Sequence, residues 1–318
     1  MQSKQEQIFS SRTITYFLQL SDTMNYTQAA QILGITQPAL SQQIKKLEKA
    51  VGAPLFYSVG KRLRLTDAGY TMLTASHQIN KVLNKATDEI QQSSSAKTGE
   101  IFIGVLSSIE TRVFEDFIVK YFDKEPDIKI SFILLNRKEI WEHLENNTID
   151  LAIMYLPDEN IKNWKPYEVK NIMHDSLLLL HHNPIMHDLD EITPSQAAQL
   201  NWVTYPKGFY LREALENEFT KQLVDFPKIK STMTTPDQIG RFAENSELVT
   251  ALPKSYLDSH QHMDGIYTNS FKPAINFDLD FVFRKDKINI PRIKNFLAEF
   301  DQYLDEKGYT NRLEDMKK

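Results

Sequence analysis

Residues 25–66, NYTQAAQILGITQPALSQQIKKLEKAVGAPLFYSVGKRLRLT, decide how the rest of the chain is read. Thr27 stands where a helix N-cap is expected; Ala30, three residues on, has no side-chain acceptor to complete a capping box. Ala29, Ala30 and Leu33 put small and apolar groups on one helical face. Gly34 sits where a helix C-terminus wants a residue that accepts positive φ, and Ile35 fills the turn. Thr36 is placed to cap a second helix, with Pro38 in its first turn, where a missing N–H costs little. Leu40, Ile44 and Leu47 recur at three to four residues and face inward, leaving Thr36, Gln37, Ser41, Gln42 and Lys45 outward. Val59-Gly60 breaks the following segment between Leu55-Phe56 and Leu63-Arg64-Leu65. This predicts a two-stranded wing with Lys61, Arg62 and Arg64 near its tip.

Two short helices joined by a tight turn are the arrangement that lets one helix enter the major groove of DNA. Gln makes paired hydrogen bonds to an adenine edge and Ser bonds either base type, whereas Lys45, Lys46 and Lys49 suit phosphates. The bland alternative is a small helical hairpin with a solvated basic face. The wing following the pair favours the groove reader.

The segment resembles the N-terminal domain of LysR-type transcriptional regulators. The pieces that carry the likeness are Ala29-Ala30, Thr36-Gln37-Pro38-Ala39-Leu40-Ser41, Gln43-Ile44, Leu47-Glu48, Gly52, Pro54-Leu55-Phe56 and Leu65-Thr66-Asp67-Ala68-Gly69. A weaker likeness runs through the rest of the chain. One departure is Ser58, where the family often carries Arg at an expected phosphate contact, and Lys61, Arg62 and Arg64 are placed to compensate. The DNA-contacting set expected is Thr27, Thr36, Gln37, Pro38, Ser41 and Gln42, with Lys45, Lys46, Lys61, Arg62 and Arg64 on phosphates or in a minor groove.

A chain of 318 residues suits two or three domains. It has no cysteine, which excludes disulfides, thiolate catalysis and thiolate zinc sites. No apolar run approaches membrane length, and MQSKQEQIFSS has no apolar core of a signal peptide, so a cytoplasmic protein is expected. Net charge is −5 overall, yet residues 1–66 carry eight Lys/Arg against three Asp/Glu, and the remainder 29 against 39. A basic head on an acidic body is the asymmetry of a DNA-binding module attached to a sensor.

From Asp67, the residues Met72, Ser76, Ile79, Leu83, Ala86 and Ile90 recur at alternating spacings of three and four, a long helix with a narrow apolar seam. Such a seam either packs on the head or meets the same helix of a second copy; its length favours the second. The resemblance implies that this is the dimerisation helix. Gln91-Gln92-Ser93-Ser94-Ser95 then reads as a linker.

Beyond Gly99, strands and helices alternate: strand 100–106, helix 110–122, strand 128–134, helix 138–145, strand 151–154, with a second series from 176 and 202 onward. This order implies a parallel sheet with covered faces. Chain crossings are expected near Lys170 and Thr268. Asn136 and Asn147 stand where the family tends to carry Gly and are read as left-handed turn residues. The fold class expected is α+β multi-domain: a mainly α winged helix-turn-helix head (1–66), a dimerisation linker helix and hinge (67–97), and a two-lobed α/β effector domain resembling periplasmic binding proteins. Its lobe I is 98–170 with 268–307, its lobe II is 171–267, and 308–318 forms a tail.

Ligands of open sheets sit outside the carboxyl ends of strands. Ser107, Ser108, Tyr155, Tyr205, Lys207, Thr234 and Thr235 all follow strands or precede helices, and their hydroxyls and one cation suit a small organic anion. Each Ser or Thr is equally placed to be a mere N-cap. Ser107 and Thr235 are the pair expected to reach an effector from opposite lobes. No cofactor, catalytic residue or metal site is expected: Ser107 lacks a nucleophile elbow, no phosphate-binding glycine loop is present, and the histidines lack ligand spacing. The expected partners are double-stranded promoter DNA, a small-molecule effector, further copies of the chain as dimer and tetramer, and RNA polymerase. The competing classes are a solute-binding protein of a transport system and a metal-dependent hydrolase.

Overall fold

The computed structural model describes residues 10–60, 62–92, 97–158, 164–189, 191–260 and 265–316. The chain divides into two compact units, Met1–Ala86 and Thr87–Lys318.

The first unit holds α1 (Ser11–Thr23), α2 (Tyr26–Ile32), α3 (Gln37–Val51), the hairpin β1 (Phe56–Val59) and β2 (Arg62–Leu65), and the start of α4 (Asp67–Gln92). The sequence reading contains α2 and α3 but not α1, whose Ile14, Phe17 and Leu20 repeat every three residues and are buried. Phe17 packs against Phe56 of the wing with centroids 5.4 Å apart, so α1 is the floor of the head. Leu40, Ile44 and Leu47 of α3 are fully buried, as the spacing requires. The N-cap of α2 is Asn25, not Thr27: its Oδ1 accepts from the N–H groups of Thr27 and Gln28 at 3.0 and 3.2 Å. The helix starts earlier than read, and Asn, a cap as good as Thr, takes the position. Thr36 does cap α3 through Ala39 N–H at 3.4 Å, with Pro38 in the first turn. Glu48 accepts from the N–H groups of Leu55 and Phe56 at 2.8 and 3.2 Å, tying the wing to the end of α3. Gly60 turns the hairpin at φ 61°.

Helix α4 opens with Thr66 accepting from Gly69 N–H at 2.9 Å. Met72 and Ser76 are buried, but beyond them the seam surfaces: Ile79, Leu83 and Ile90 are 38%, 49% and 71% exposed. The helix continues through Gln91 and Gln92, where a linker is expected; 93–96 lie outside the described residues.

The second unit is built on an eight-stranded mixed sheet. Its elements are β3 (Gly99–Leu106), α5 (Arg112–Lys124), β4 (Ile128–Leu135), α6 (Arg137–Glu145), β5 (Leu151–Leu156), β6 (Tyr167–His181), α7 (Pro184–His187), β7 (Glu191–Ile192) and α8 (Pro194–Ala197). Then come β8 (Asn201–Thr204), α9 (Tyr210–Lys221), β9 (Lys228–Thr232), α10 (Pro236–Glu244), β10 (Thr250–Pro253), α11 (Lys254–Asp258), β11 (Tyr267–Phe271), β12 (Asn276–Arg284), α12 (Pro291–Glu306) and α13 (Tyr309–Asp315). Strands β4, β3 and β5 are parallel, as the alternating pattern predicts, but β12 joins β5 antiparallel, so the sheet is not purely parallel. Two lobes result. The first is β4-β3-β5-β12 with the start of β6, and the second is the end of β6 with β10, β11 and β7, beside the pair β8–β9.

The crossings fall a few residues beyond those read from the sequence. Lys170 lies inside β6, paired with Phe281, and Thr268 lies inside β11, paired with Leu180 in the second lobe. One 15-residue strand spans both lobes, and β12 returns beside it. Asn147 has φ 56°, as expected of a left-handed turn, but Asn136 has φ −81° and is the N-cap of α6, in a capping box with Glu139. Residues 308–318 are not a free tail through their described part. Helix α13 docks with Tyr309 and Leu313 buried, the Tyr309 ring 5.7 Å from Phe114, and the Arg312 guanidinium over the Tyr303 ring.

Within the first lobe, β12 carries a carboxylate that titrates unusually. Asp280 is buried beside a register shift, its Oδ1 accepting from Asn171 Nδ2 at 3.0 Å. Burial pushes its pKa up to about 6; Asp278 adds to the rise, against the hydrogen bond from Asn171 and the nearby His174. The native carboxyl binds its proton more tightly than the unfolded one, so this group's contribution is full below about pH 4 and is lost as pH rises through about 6. Asp280→Asn is therefore expected to melt above the wild type at about pH 7.5, with the gap closing toward about pH 5. Parallel thermal melts check this, and a gap independent of pH contradicts it.

Candidate nucleic-acid interface and effector cleft

Helix α3 presents the surface foreseen for it. Thr36, Gln37, Pro38, Gln42, Lys45 and Lys46 are exposed and Ser41 is half-buried. The buried side is occupied by Leu40, Ile44 and Leu47, so rotation of the helix about its axis is fixed by packing and the outer face cannot turn inward. Arg62 and Arg64 are exposed on the wing, and Lys61 lies outside the described residues. Among the described residues, Lys45, Lys46, Arg62 and Arg64 make no ion pair with a carboxylate, which leaves their charge available to phosphates. Thr27 is exposed in the first turn of α2 with its backbone N–H held by Asn25. The head thus joins a short-chained polar stretch to a basic one along a single exposed edge.

In the second unit the seven expected effector residues separate into three places. Lys207 borders a cavity of about 510 Å³ between the lobes, with Asn136, Arg137, Lys138, Trp141 and Phe209. Ser108, Tyr155 and Tyr205 are buried residues of the same unit. Tyr155 Oη donates to Ser108 O at 3.3 Å, and the Ser108 and Tyr205 hydroxyls have no hydrogen-bond partner among the described residues. Burial holds the Tyr155 and Tyr205 phenols well above their ordinary pKa, so both stay protonated donors. Ser107 is half-buried, and its N–H is used by Leu135 O at 2.9 Å. Thr234 lies instead in a groove with Gln238, Arg241 and Phe242, and Thr235 caps α10 through Gln238 N–H at 3.3 Å. For Thr235, the capping role is therefore realised, while Ser107 serves the strand edge with its backbone.

Sequence reading missed Arg137, which reaches the cavity from the first turn of α6 and spans the two lobes through Glu213 at 2.7 Å. Its signal was present: a cation at the first helical position after a strand points to the carboxyl end of the sheet, where ligands sit. Behind Tyr210, which borders the cavity, the Tyr155 ring lies 5.7 Å from Tyr210 and 4.7 Å from Phe277.

One grouping imitates a hydrolase. Ser259 Oγ lies 2.8 Å from His260 Nδ1, and His260 Nε2 lies 3.9 Å from Glu110. Ser259 is fully buried and donates to Tyr256 O at 2.7 Å, so no substrate carbonyl reaches it. Burial would raise the Glu110 carboxyl, but Arg112, hydrogen-bonded to both its oxygens, holds it below its usual range. Arg112 also donates to Ser259 O and Met316 O, so the group is a clasp for α11 and α13. Among the described residues no cluster of three or more His, Cys, Asp or Glu could hold a metal ion, and no helix is long and apolar enough to cross a membrane.

A family model described as "Bacterial regulatory helix-turn-helix protein, lysR family" matches residues 11–70, and one described as "LysR substrate binding domain" matches residues 94–305. The chain is 34% identical over 148 residues to the HTH-type transcriptional activator CmpR of Synechocystis, a stretch covering 46% of this chain and 47% of that protein, about half of each. It is 28% identical to the uncharacterised HTH-type regulator YybE of Bacillus subtilis over 65% of this chain and 70% of that one. Among solved structures, a full-length cysteine-to-aspartate variant of OxyR from Pseudomonas aeruginosa superposes with TM-score 0.62 at 18% identity, covering 93% of this chain and 95% of that one. Full-length CbnR complexed with its target DNA superposes with TM-score 0.60 at 17% identity, covering 92% and 99%. At these identities the structures speak for the fold: a helix-turn-helix head with a two-lobed α/β domain. The two family models together account for the head and the body, and the chain belongs to the LysR family of bacterial helix-turn-helix regulators.

Proposed function

We propose that this protein is a sequence-specific DNA-binding transcriptional regulator, non-catalytic and cytoplasmic, whose hold on promoter DNA is set by a small organic anion between the two α/β lobes. The observation that carries the reading is the exposed edge of α3, with Gln37, Ser41 and Gln42 for base edges and Lys45, Lys46, Arg62 and Arg64 for phosphates. CbnR, whose fold this chain shares, is seen with its target DNA. The exposed seam of α4, Ile79 to Ile90, supports pairing with a second copy, which would present two heads to two half-sites. In the cleft, Arg137 and Lys207 supply the cationic end. An effector shifts the lobes only by binding two arrangements unequally.

Footprinting on the DNA upstream of the chain's own gene and its neighbour tests this. Protection of two half-sites is expected, weakening by about a thousandfold or more between roughly 50 and 200 mM salt if six or more phosphates are contacted. Protection that is absent, or indifferent to salt, would remove the reading. A solute-binding protein or a hydrolase would show neither.

A further inference from the structure

Arg137 occupies an unusual place. Its Nη2 donates to Glu213 Oε2 at 2.7 Å, from α6 of the first lobe to α9 of the second. Its Nη1 lies 3.9 Å from Asp158, which is buried and accepts from Trp141 Nε1 at 2.8 Å. The Arg137 side chain is 15% exposed and that of Glu213 35%, so the guanidinium is held inside while its partner stands at the edge of solvent. Arg137 and Tyr210 are also the wall between two cavities. The one of about 510 Å³ carries Lys207, and Lys138 paired with Glu142, with Glu145 beside them. The other, about 490 Å³, carries Glu213, Glu216 and Glu218 with Lys221. The two cavities therefore meet at an ion pair that joins the lobes.

A guanidinium receives carboxylates through paired N–H donors, and it has the same preference for any carboxylate that reaches it. An anion entering the cavity beside Lys207 meets Arg137, the group that already holds Glu213. Released, Glu213 returns to water at little cost because it is part-exposed; Asp158 stays with Trp141.

We infer that Glu213 is a built-in stand-in for the effector's anionic group: ligand and Glu213 compete for Arg137, and replacing one by the other unfastens α6 from α9. This deepens the effector-cleft reading and rests on it. It supplies the unequal affinity that a shift between lobe arrangements requires, since only the arrangement with the Glu213 contact broken offers Arg137 to the ligand.

Sulfate is a suitable probe, titrated calorimetrically into the full-length protein at constant ionic strength. Glu213→Gln, which removes the internal competitor, is expected to tighten sulfate binding about five- to tenfold. Arg137→Gln is expected to abolish that gain in the double variant. Hydrogen exchange at the α6 and α9 N-termini should quicken with sulfate in the wild type and be already quick in Glu213→Gln. Unchanged affinity in Glu213→Gln, or no saturable binding in it, overturns the exchange. If Glu213→Gln is silent while Lys207→Gln still weakens sulfate binding, the cleft remains an anion site and only the competition falls. If Lys207→Gln and Arg137→Gln are both silent, the anion-cleft reading falls with it.

Discussion

Gly69→Ala is expected to cost the head its DNA binding and to lower its melting temperature by about 4 °C or more, since overpacking costs about 1–3 kcal/mol and each kcal/mol moves a unit this small by about 4–8 °C. A Cβ at Gly69 would stand 2.2 Å from the Leu55 carbonyl oxygen and 2.8 Å from Leu65 Cδ2. Neither can give way freely. The Leu55 oxygen already accepts from Thr66 N–H at 3.0 Å, and Leu55 N–H is held by Glu48. The first turn of α4 or the start of the wing must move, and the wing carries Arg62 and Arg64. Gly52→Ala is the control. Gly52 sits at φ 76° with nothing within 4 Å of a Cβ, so it incurs only the left-handed backbone strain of about 1–2 kcal/mol. Calorimetry on the full-length protein measures both. An unchanged melt for Gly69→Ala would mean that α4 does not approach the wing as described.

Lys287→Met is expected to destabilise the second unit by about 3–5 kcal/mol, the usual cost of leaving one member of a buried pair alone. Lys287 Nζ is 2.7 Å from Asp150 Oδ1, with the two side chains 3% and 7% exposed. The other Asp150 oxygen accepts from Phe102 N–H at 2.9 Å, so the pair pins β3 to the start of β5. Without the ammonium the carboxylate is left desolvated and uncompensated. Lys287→Met with Asp150→Asn, which keeps the hydrogen bond and removes the charge, is expected to recover most of the loss. Denaturant melts of the three proteins measure this; a deficit below about 1 kcal/mol in the single variant would show the pair to be solvated.

The sequence was most legible where local chemistry and tertiary packing agree. In α3 the cap at Thr36, the proline beside it and the Leu40-Ile44-Leu47 spacing all point one way, and the structure follows them. The parallel core of the first lobe was legible for the same reason, since β5 is buried throughout. Two neighbouring caps of similar quality left the start of α2 open, and Asn25 outcompeted Thr27. Strand β6 was read only from Ser176 because its first half has one face in water and lacks a continuous apolar run. Helix α13 is short and amphipathic, and its burial depends on Phe114 and Tyr303, which lie elsewhere in the sequence. Within the cleft, Lys207 was legible from its place after a strand. Glu213 was not, because its role exists only once two lobes meet.

Competition binding, specific site against random DNA, tests the central claim most directly when Gln37→Ala/Gln42→Ala is compared with Lys45→Ala/Lys46→Ala. The glutamine variant is predicted to lose the preference for its site, at about 1–3 kcal/mol per base contact, while its salt slope stays unchanged. The lysine variant is predicted to weaken on both DNAs alike, with the slope reduced by about two. A glutamine variant that keeps its full preference would mean that the outer face of α3 does not read the bases.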